Sequence, residues 1–419
     1  MALHKNDAFF DVVVIGCGPG GSTLAAYAAR AGLSVLALER ESFPRYHIGE
    51  SLTGMVANVL HDFNLAPEME RRQFPPKGGV KVIGHDAKSE FFVPVLIPTW
   101  QVRRDEFDQL LLDTAIHHGV THRYGTVTSV VQEGDKVVGV RYVSDEETHA
   151  TPKEVRCHVV VDASGRNAVL SRLGIAGPLV YCEEFVRQTA VFSQFEHARR
   201  DPGDMGNNTF LFYSEVHHWA WFIPLSPTVT SVGVVMPGRK VQECGGAAAA
   251  LQWGLDHINP DLHWRMQGCE PVEKVRAITN YSYVVEPFVG NSWLCVGDAH
   301  RFTDPIFSFG VSFAMLEARE ASQAILRTLD TRDCTAPFAE YAAYCDRGQN
   351  AAADVIRYFW KFPIFFGYQS RSELRKDMMR LLASDFHEAD EMRALYIMRR
   401  ALKKFGSDAP EHTLPVLAV

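Results

Sequence analysis

The chain has 419 residues, of which 47% are apolar and 22% charged, a composition that supports a large buried core in a globular protein. A net charge of −8 with no polybasic run excludes nucleic acid as a partner, because its binders carry a basic face. No apolar run approaches the roughly eighteen residues of a transmembrane helix, so no membrane association is expected. The start, Met1–Asp7, lacks the apolar stretch of a signal peptide, and the eight cysteines are scattered with no CxxC pair. Reduced thiols in a cytoplasmic protein are the expectation.

In chain order, Val12-Val13-Val14-Ile15 is a continuous apolar run of the kind found in a parallel strand covered on both faces. The glycine cluster Gly16-Cys17-Gly18-Pro19-Gly20-Gly21 follows, then the alanine-rich Ser22–Arg30 and a second strand at Val35–Leu38. Strand, glycine turn, helix and strand make a βαβ unit with a right-handed crossover. In the GxGxxG pattern, Gly16 permits the tight turn, Gly18 admits a pyrophosphate to the backbone, and Gly21 lets the helix pack on the sheet. The phosphates would sit at the helix N-terminus, where free N–H groups and the dipole favour negative charge. Glu39 closes the second strand where a carboxylate accepts from ribose hydroxyls. This motif alone does not separate FAD from NAD.

Val80–Val93 and roughly Tyr181–Val235 alternate β-branched or aromatic residues with polar ones, as antiparallel strands with one covered face do. Between them, Asp105–His118 is amphipathic and reads as a helix. His117, His118 and His122 cluster near its end, but no carboxylate or cysteine completes a metal site, so they read as surface residues and no metal is expected. Beyond Phe313 the chain turns helical through Arg327 and again from about Phe338 to Phe405. Together with the resemblances given next, these elements make the expected fold α/β: a discontinuous Rossmann-like FAD-binding domain (residues 1–75, 101–180 and 281–330), an antiparallel substrate-side sheet (76–100 and 181–280), and a helical C-terminal region over the substrate pocket (331–419).

Two segments point from dinucleotide to FAD. Val296-Gly297-Asp298-Ala299 follows the apolar strand Trp293–Val296, and Asp298 resembles the carboxylate that holds the ribityl chain in flavoproteins of the aromatic hydroxylase type. Val160-Val161-Asp162-Ala163-Ser164-Gly165-Arg166 resembles the second signature strand and turn of that superfamily. Phe43-Pro44-Arg45-Tyr46-His47-Ile48-Gly49-Glu50-Ser51-Leu52 and Trp100-Gln101-Val102-Arg103-Arg104-Asp105-Glu106-Phe107-Asp108 resemble the FPR…GES and WQVxRxxFD segments of flavin-dependent halogenases. The resemblance spans about residues 10–325. It implies that Arg40, Arg45, Ser51, Arg104, Asp162, Asp298, Pro305, Gly310 and Val311, with the glycine turn and Glu39, surround the FAD.

Three further motifs carry the resemblance. Lys77-Gly78-Gly79 resembles the KxG motif, which gives Lys77 the task of activating or steering hypohalous acid; burial would lower its pKa toward neutrality. Read locally, Lys77 is equally a surface lysine in a polar turn, with Lys81 as a competitor. Trp219-Ala220-Trp221-Phe222-Ile223-Pro224 resembles WxWxIP, the wall between flavin and substrate. Two tryptophans at i and i+2 share one side of a strand, although an aromatic core strand would look the same. Asp304-Pro305-Ile306-Phe307-Ser308-Phe309-Gly310-Val311 resembles DPxFSxGV, where the Phe309 and Gly310 amides would hold a halide, chloride or bromide; hydroxylases have a related turn.

Phe307 stands where tryptophan halogenases carry a glutamate, which points to electron-rich phenols or pyrroles, including acceptors tethered to an acyl or peptidyl carrier protein. His300 and Arg301 are larger and more polar than the resemblance leads one to expect. No second dinucleotide fingerprint follows, since Gly245-Gly246 lacks the spacing, so a separate NAD(P)H-dependent flavin reductase is the implied source of reduced FAD. Tyr358–Phe366 reads as core or as a pocket cap. Arg399, Arg400, Lys403 and Lys404 offer a docking face for an acidic carrier, or a solvated helix face. The implied activity is two-component FAD-dependent halogenation, with aromatic hydroxylation or a non-catalytic flavoprotein as alternatives.

Overall fold

The computed structural model describes residues 9–87, 89–144, 151–182, 188–279 and 281–405. The N-terminal segment used above for targeting, Met1–Asp7, and residues 406–419 lie outside them. Among the described residues no helix is long and apolar enough to cross a membrane.

The βαβ unit forms as its pattern requires. Strand Phe9–Ile15 pairs in parallel with Val35–Glu39, and helix Pro19–Arg30 crosses between them. Their sheet has seven strands; Phe9–Ile15 also pairs with Lys153–Asp162, which in turn pairs in parallel with Trp293–Cys295. Val12, Val13 and Val14 are fully buried, as a strand covered on both faces demands. Helix Gly310–Thr331 packs on Pro19–Arg30, so chain from opposite ends of the sequence closes one layer.

A second seven-stranded sheet runs in the order Arg276–Thr279, Gln188–Glu196, Val229–Pro237, His218–Pro224, Thr209–Glu215, Pro76–Ile83 and Glu90–Trp100. Its pairs are antiparallel except Thr209–Glu215 with Pro76–Ile83, which run in parallel. One expectation needs correcting here: residues 181–280 are not sheet throughout. Gly238–Glu243, Ala247–His257 and Pro260–Met266 are helices. They cover one face of the sheet, where Leu251, Leu255 and Leu262 pack on Phe210, Phe222 and Val234.

The other face meets the C-terminal helices. Thr335–Lys361 is unbroken until Phe362, and Pro363–Gln369, Arg375–Leu382 and Arg393–Phe405 complete the layer. The aromatic run is chiefly core: Tyr358, Phe359, Phe362 and Phe366 are buried, while Ile364 stays 63% exposed. Phe307 belongs to this cluster, its ring stacked on Phe366 with centroids 5.4 Å apart.

Candidate functional site

A cavity of about 910 Å³ opens between the two sheets, within the usual range for a ligand or cofactor site. Its wall takes Gly16, Gly18, Glu39, Arg40 and Arg45 from the βαβ unit and the loop that follows it, and Leu211, Trp219, Trp221 and Ile223 from the second sheet.

The glycine turn is built for close approach. Gly16 has φ +95°, and a Cβ there would lie 2.6 Å from the Ala163 carbonyl oxygen. A Cβ on Gly21 would overlap the Gly16 carbonyl oxygen, so strand and helix touch through bare backbone. Gly21→Ala is expected to abolish FAD retention and lower the melting temperature, read by flavin absorbance after gel filtration and by calorimetry. Glu39 accepts from the Cys17 N–H at 2.8 Å through one oxygen and from the Glu41 N–H at 2.9 Å through the other. The Arg45 guanidinium comes within 3.6 Å of a Cβ placed on Gly18, which sets a cation beside the turn. Arg40 lies at the exposed rim, paired with Glu41. A glycine cradle at a helix N-terminus, a carboxylate closing the second strand and a flanking arginine suit the pyrophosphate and ribose of FAD.

Other predicted cofactor residues divide into two groups. Asp298, Pro305, Gly310 and Val311 line the cavity. Burial pushes the Asp298 carboxyl up to about 7, opposed by Arg166 and Arg104. Asp162 does not face the cavity; its oxygens accept from the Ser164 N–H (2.9 Å) and Leu170 N–H (2.7 Å), so it caps the turn that carries Arg166. Arg104 lines the cavity, yet its guanidinium is committed. It bridges Asp108 at 2.7 and 3.0 Å and donates to the carbonyls of Ile48 and Gly49. Arg45 joins the same carboxylate at 3.1 Å. Burial alone would raise the pKa of Asp108; Arg104 and Arg45 instead hold it below the usual carboxylate range.

His300 and Arg301 find partners in the helical layer. His300 stacks on Phe288 with centroids 4.1 Å apart, and its Nε2 lies 2.9 Å from Glu317, which also accepts from the Gly297 N–H at 2.7 Å. Arg301 donates to Asn350 at 2.8 Å. His122 is half-buried, its ring edge on Tyr124, whereas His117 is exposed.

Phe309 and Gly310 begin helix Gly310–Thr331, after Ser308 in the left-handed region at φ +62°. The first amides of a helix have no intrahelical acceptor, so this turn presents N–H groups to an anion. The Phe309 ring itself packs away from the cavity against Phe386.

Trp219 and Trp221 stand side by side on strand His218–Pro224, ring centroids 5.9 Å apart, and both line the cavity with Ile223. Trp221 lies across from Gly233, where a Cβ would run into the indole, and its Nε1 donates to Ser231 at 3.2 Å. Pro224 ends the strand, buried but not in the cavity wall.

Lys77 is 3% exposed, so the surface-lysine alternative fails. It occupies an inward position of Pro76–Ile83 beside a register shift at Lys77/Gly79, the kind of irregularity that re-aims a side chain. Its Nζ donates to Ser51 Oγ and to the Leu52 carbonyl, both at 2.8 Å. Burial lowers its pKa to about 7. Lys81, its competitor, reaches Glu90 and Asp201 instead. Sequence reasoning missed Thr209, whose Oγ1 lies 2.7 Å from Ser51 Oγ, and Glu50, a cavity carboxyl pushed up to about 7 by burial. A lone threonine in a strand carries no signal, and the segment that holds Glu50 draws notice through Arg45 and Ser51.

The sequence model of the tryptophan halogenase family matches residues 11–92 and 82–373. Among curated proteins, the chain is 45% identical over 398 residues to the 1H-pyrrole-2-carbonyl-(peptidyl-carrier protein) brominase of Pseudoalteromonas luteoviolacea, covering 94% of this chain and 97% of that protein. It is 29% identical over 447 residues to the corresponding chlorinase of Pseudomonas fluorescens, covering 97% and 96%. The solved structure of flavin-dependent brominase Bmp2 superposes with a TM-score of 0.91 at 45% identity, covering 95% of this chain and 99% of that one.

Proposed function

The chain belongs to the flavin-dependent halogenases, and from that premise we propose that it halogenates a pyrrole-2-carbonyl group borne by a peptidyl carrier protein. The enzyme uses FAD and a halide; reduced FAD with oxygen supplies the oxidising equivalents that turn halide into hypohalous acid. A separate flavin reductase delivers the reduced cofactor, and a reducing, cytoplasmic setting suits the eight free cysteines.

The observation that carries this reading is a buried lysine tied through Ser51 and Thr209 to a cavity whose wall carries two tryptophans. Gly16, Gly18, Glu39 and Arg45 hold the cofactor, and the Phe309 and Gly310 amides hold the halide. Trp219 and Trp221 keep the acceptor ring from the flavin and exclude water. Lys77, buried beside the cavity, activates the electrophile, and placement of the acceptor sets the position attacked. Phe307, stacked among phenylalanines, offers no carboxylate to polarise a ring, which suits a pyrrole that is already electron-rich.

The pyrrolyl-carrier names of the relatives and a basic helix support a carrier-borne acceptor. Arg393–Phe405 contains no acidic residue in a chain of net charge −8. Arg400, Lys403, Lys404 and the 61%-exposed Tyr396 share its outer face, whereas Arg399 turns to Asp354 and Asp390. The test compares free pyrrole-2-carboxylate with the pyrrolyl-loaded carrier, using FAD, a reductase, NADH and bromide or chloride. The loaded carrier is expected to show a kcat/KM higher by about tenfold or more. Equal use of the free acid would remove the carrier from the reading.

A further inference from the structure

Lys77 does not itself line the cavity; Ser51 and Thr209 do, and they stand between it and the amine. The hydrogen bonds among these groups have a direction. Gln101 spends its amide hydrogens on the Asn207 carbonyl (3.2 Å) and on Thr209 Oγ1 (2.9 Å). Lys77 Nζ donates to Ser51 Oγ, so the Ser51 proton is free to turn to Thr209 Oγ1. Thr209 then accepts from both neighbours, and its own hydroxyl proton has to point elsewhere. The cavity it lines is that place. Ser51 and Thr209 are 2% and 1% exposed, so bulk water does not replace either link.

We propose that Ser51 and Thr209 form a proton relay between the Lys77 amine and the oxygen of hypohalous acid. The proposal rests on the halogenase reading above and adds to it the route of the proton. In the step, the ring carbon bonds the halogen while the halogen–oxygen bond breaks with its electron pair going to oxygen. A proton leaves the Lys77 ammonium, passes through Ser51 and Thr209 to that oxygen, and water departs. The proton lost by the ring carbon then returns through Thr209 and Ser51 to the neutral amine. Aromatic C–H and hypohalous acid become C–X and water, and Lys77 returns to its starting state. No charged side chain sets the Lys77 titration; burial alone does.

Thr209→Val removes the hydroxyl at nearly constant volume, and Thr209→Ser keeps it. Both are compared with wild type as full-length holoenzyme with reductase, bromide and acceptor. Thr209→Val is expected to lower brominated product about 10²-fold, the low end of a general acid's contribution. Bromination of a diketone trap in solution should fall far less than bromination of the acceptor, because the relay acts after the oxidant has formed. The alkaline limb of the pH profile should vanish in Thr209→Val and persist in Thr209→Ser. Should Thr209→Val fail to fold, Ser51→Ala must give the same pattern. A wild-type rate and limb in Thr209→Val, or equal failure of Thr209→Ser, would overturn the relay. A wild-type enzyme that yields no brominated acceptor would overturn the halogenase reading itself, and the relay with it.

Discussion

Lys77→Ala is expected to cut ring halogenation by about 10²–10⁴-fold, the range of a positioned acid–base group, while hypohalous acid still escapes to solution. The amine does not line the cavity that holds the glycine turn, so FAD binding and oxygen consumption should persist. Burial places the wild-type amine at about 7, where small changes of pH change its charge. The ammonium is the form that donates, so the rate should be full below that value and fall as pH rises through it. Product quantified by mass spectrometry across about pH 5 to 9, roughly two units on each side of that midpoint, checks both statements. A variant that halogenates at the wild-type rate would remove Lys77 from the chemistry.

Asp108→Ala should be the most damaging substitution for stability, at about 3–5 kcal/mol. Asp108 is fully buried and neutralises two guanidiniums, Arg104 and Arg45. Without it, those cations have no counter-charge in the interior, and Arg104 loses the anchor from which it holds the Ile48 and Gly49 carbonyls. That segment leads directly to Ser51, so FAD retention should weaken along with stability. Urea unfolding and flavin absorbance measure the two effects. Because Asp108 is depressed in the folded state, its contribution is complete above about pH 4, the unfolded carboxylate value, and fades as pH falls through the lower folded value. Asp108→Ala should therefore flatten the acid side of the stability curve.

How much of this was readable beforehand depends on sequence distance. The glycine turn and Glu39 lie within one βαβ unit, and short-range rules place every atom that matters. Lys77 was flagged by its motif, but its burial arises from a parallel pairing with Thr209–Glu215, more than a hundred residues away along the chain. The Lys77–Ser51–Thr209 chain joins three separate segments, and no local pattern announces it. Asp162 and Arg104 illustrate the opposite limit. Each sits where a cofactor contact was expected, yet each spends its hydrogen bonds on nearby groups, a choice that only the tertiary structure decides. The helices Gly238–Met266 were absorbed into a sheet expectation because they are short and interrupted by Gly245-Gly246. Arg399 turns inward because Asp354, on another helix, reaches it.

The most direct measurement is the mass of the product formed from pyrrolyl-loaded carrier by the purified protein with reductase, NADH, oxygen and bromide. Trp219 and Trp221 in the cavity wall, with Lys77 joined to that cavity through Ser51 and Thr209, predict a bromine isotope doublet and no oxygenated product. An acceptor carrying one added oxygen and no halogen would mean that substrate meets the flavin directly, and would contradict the account.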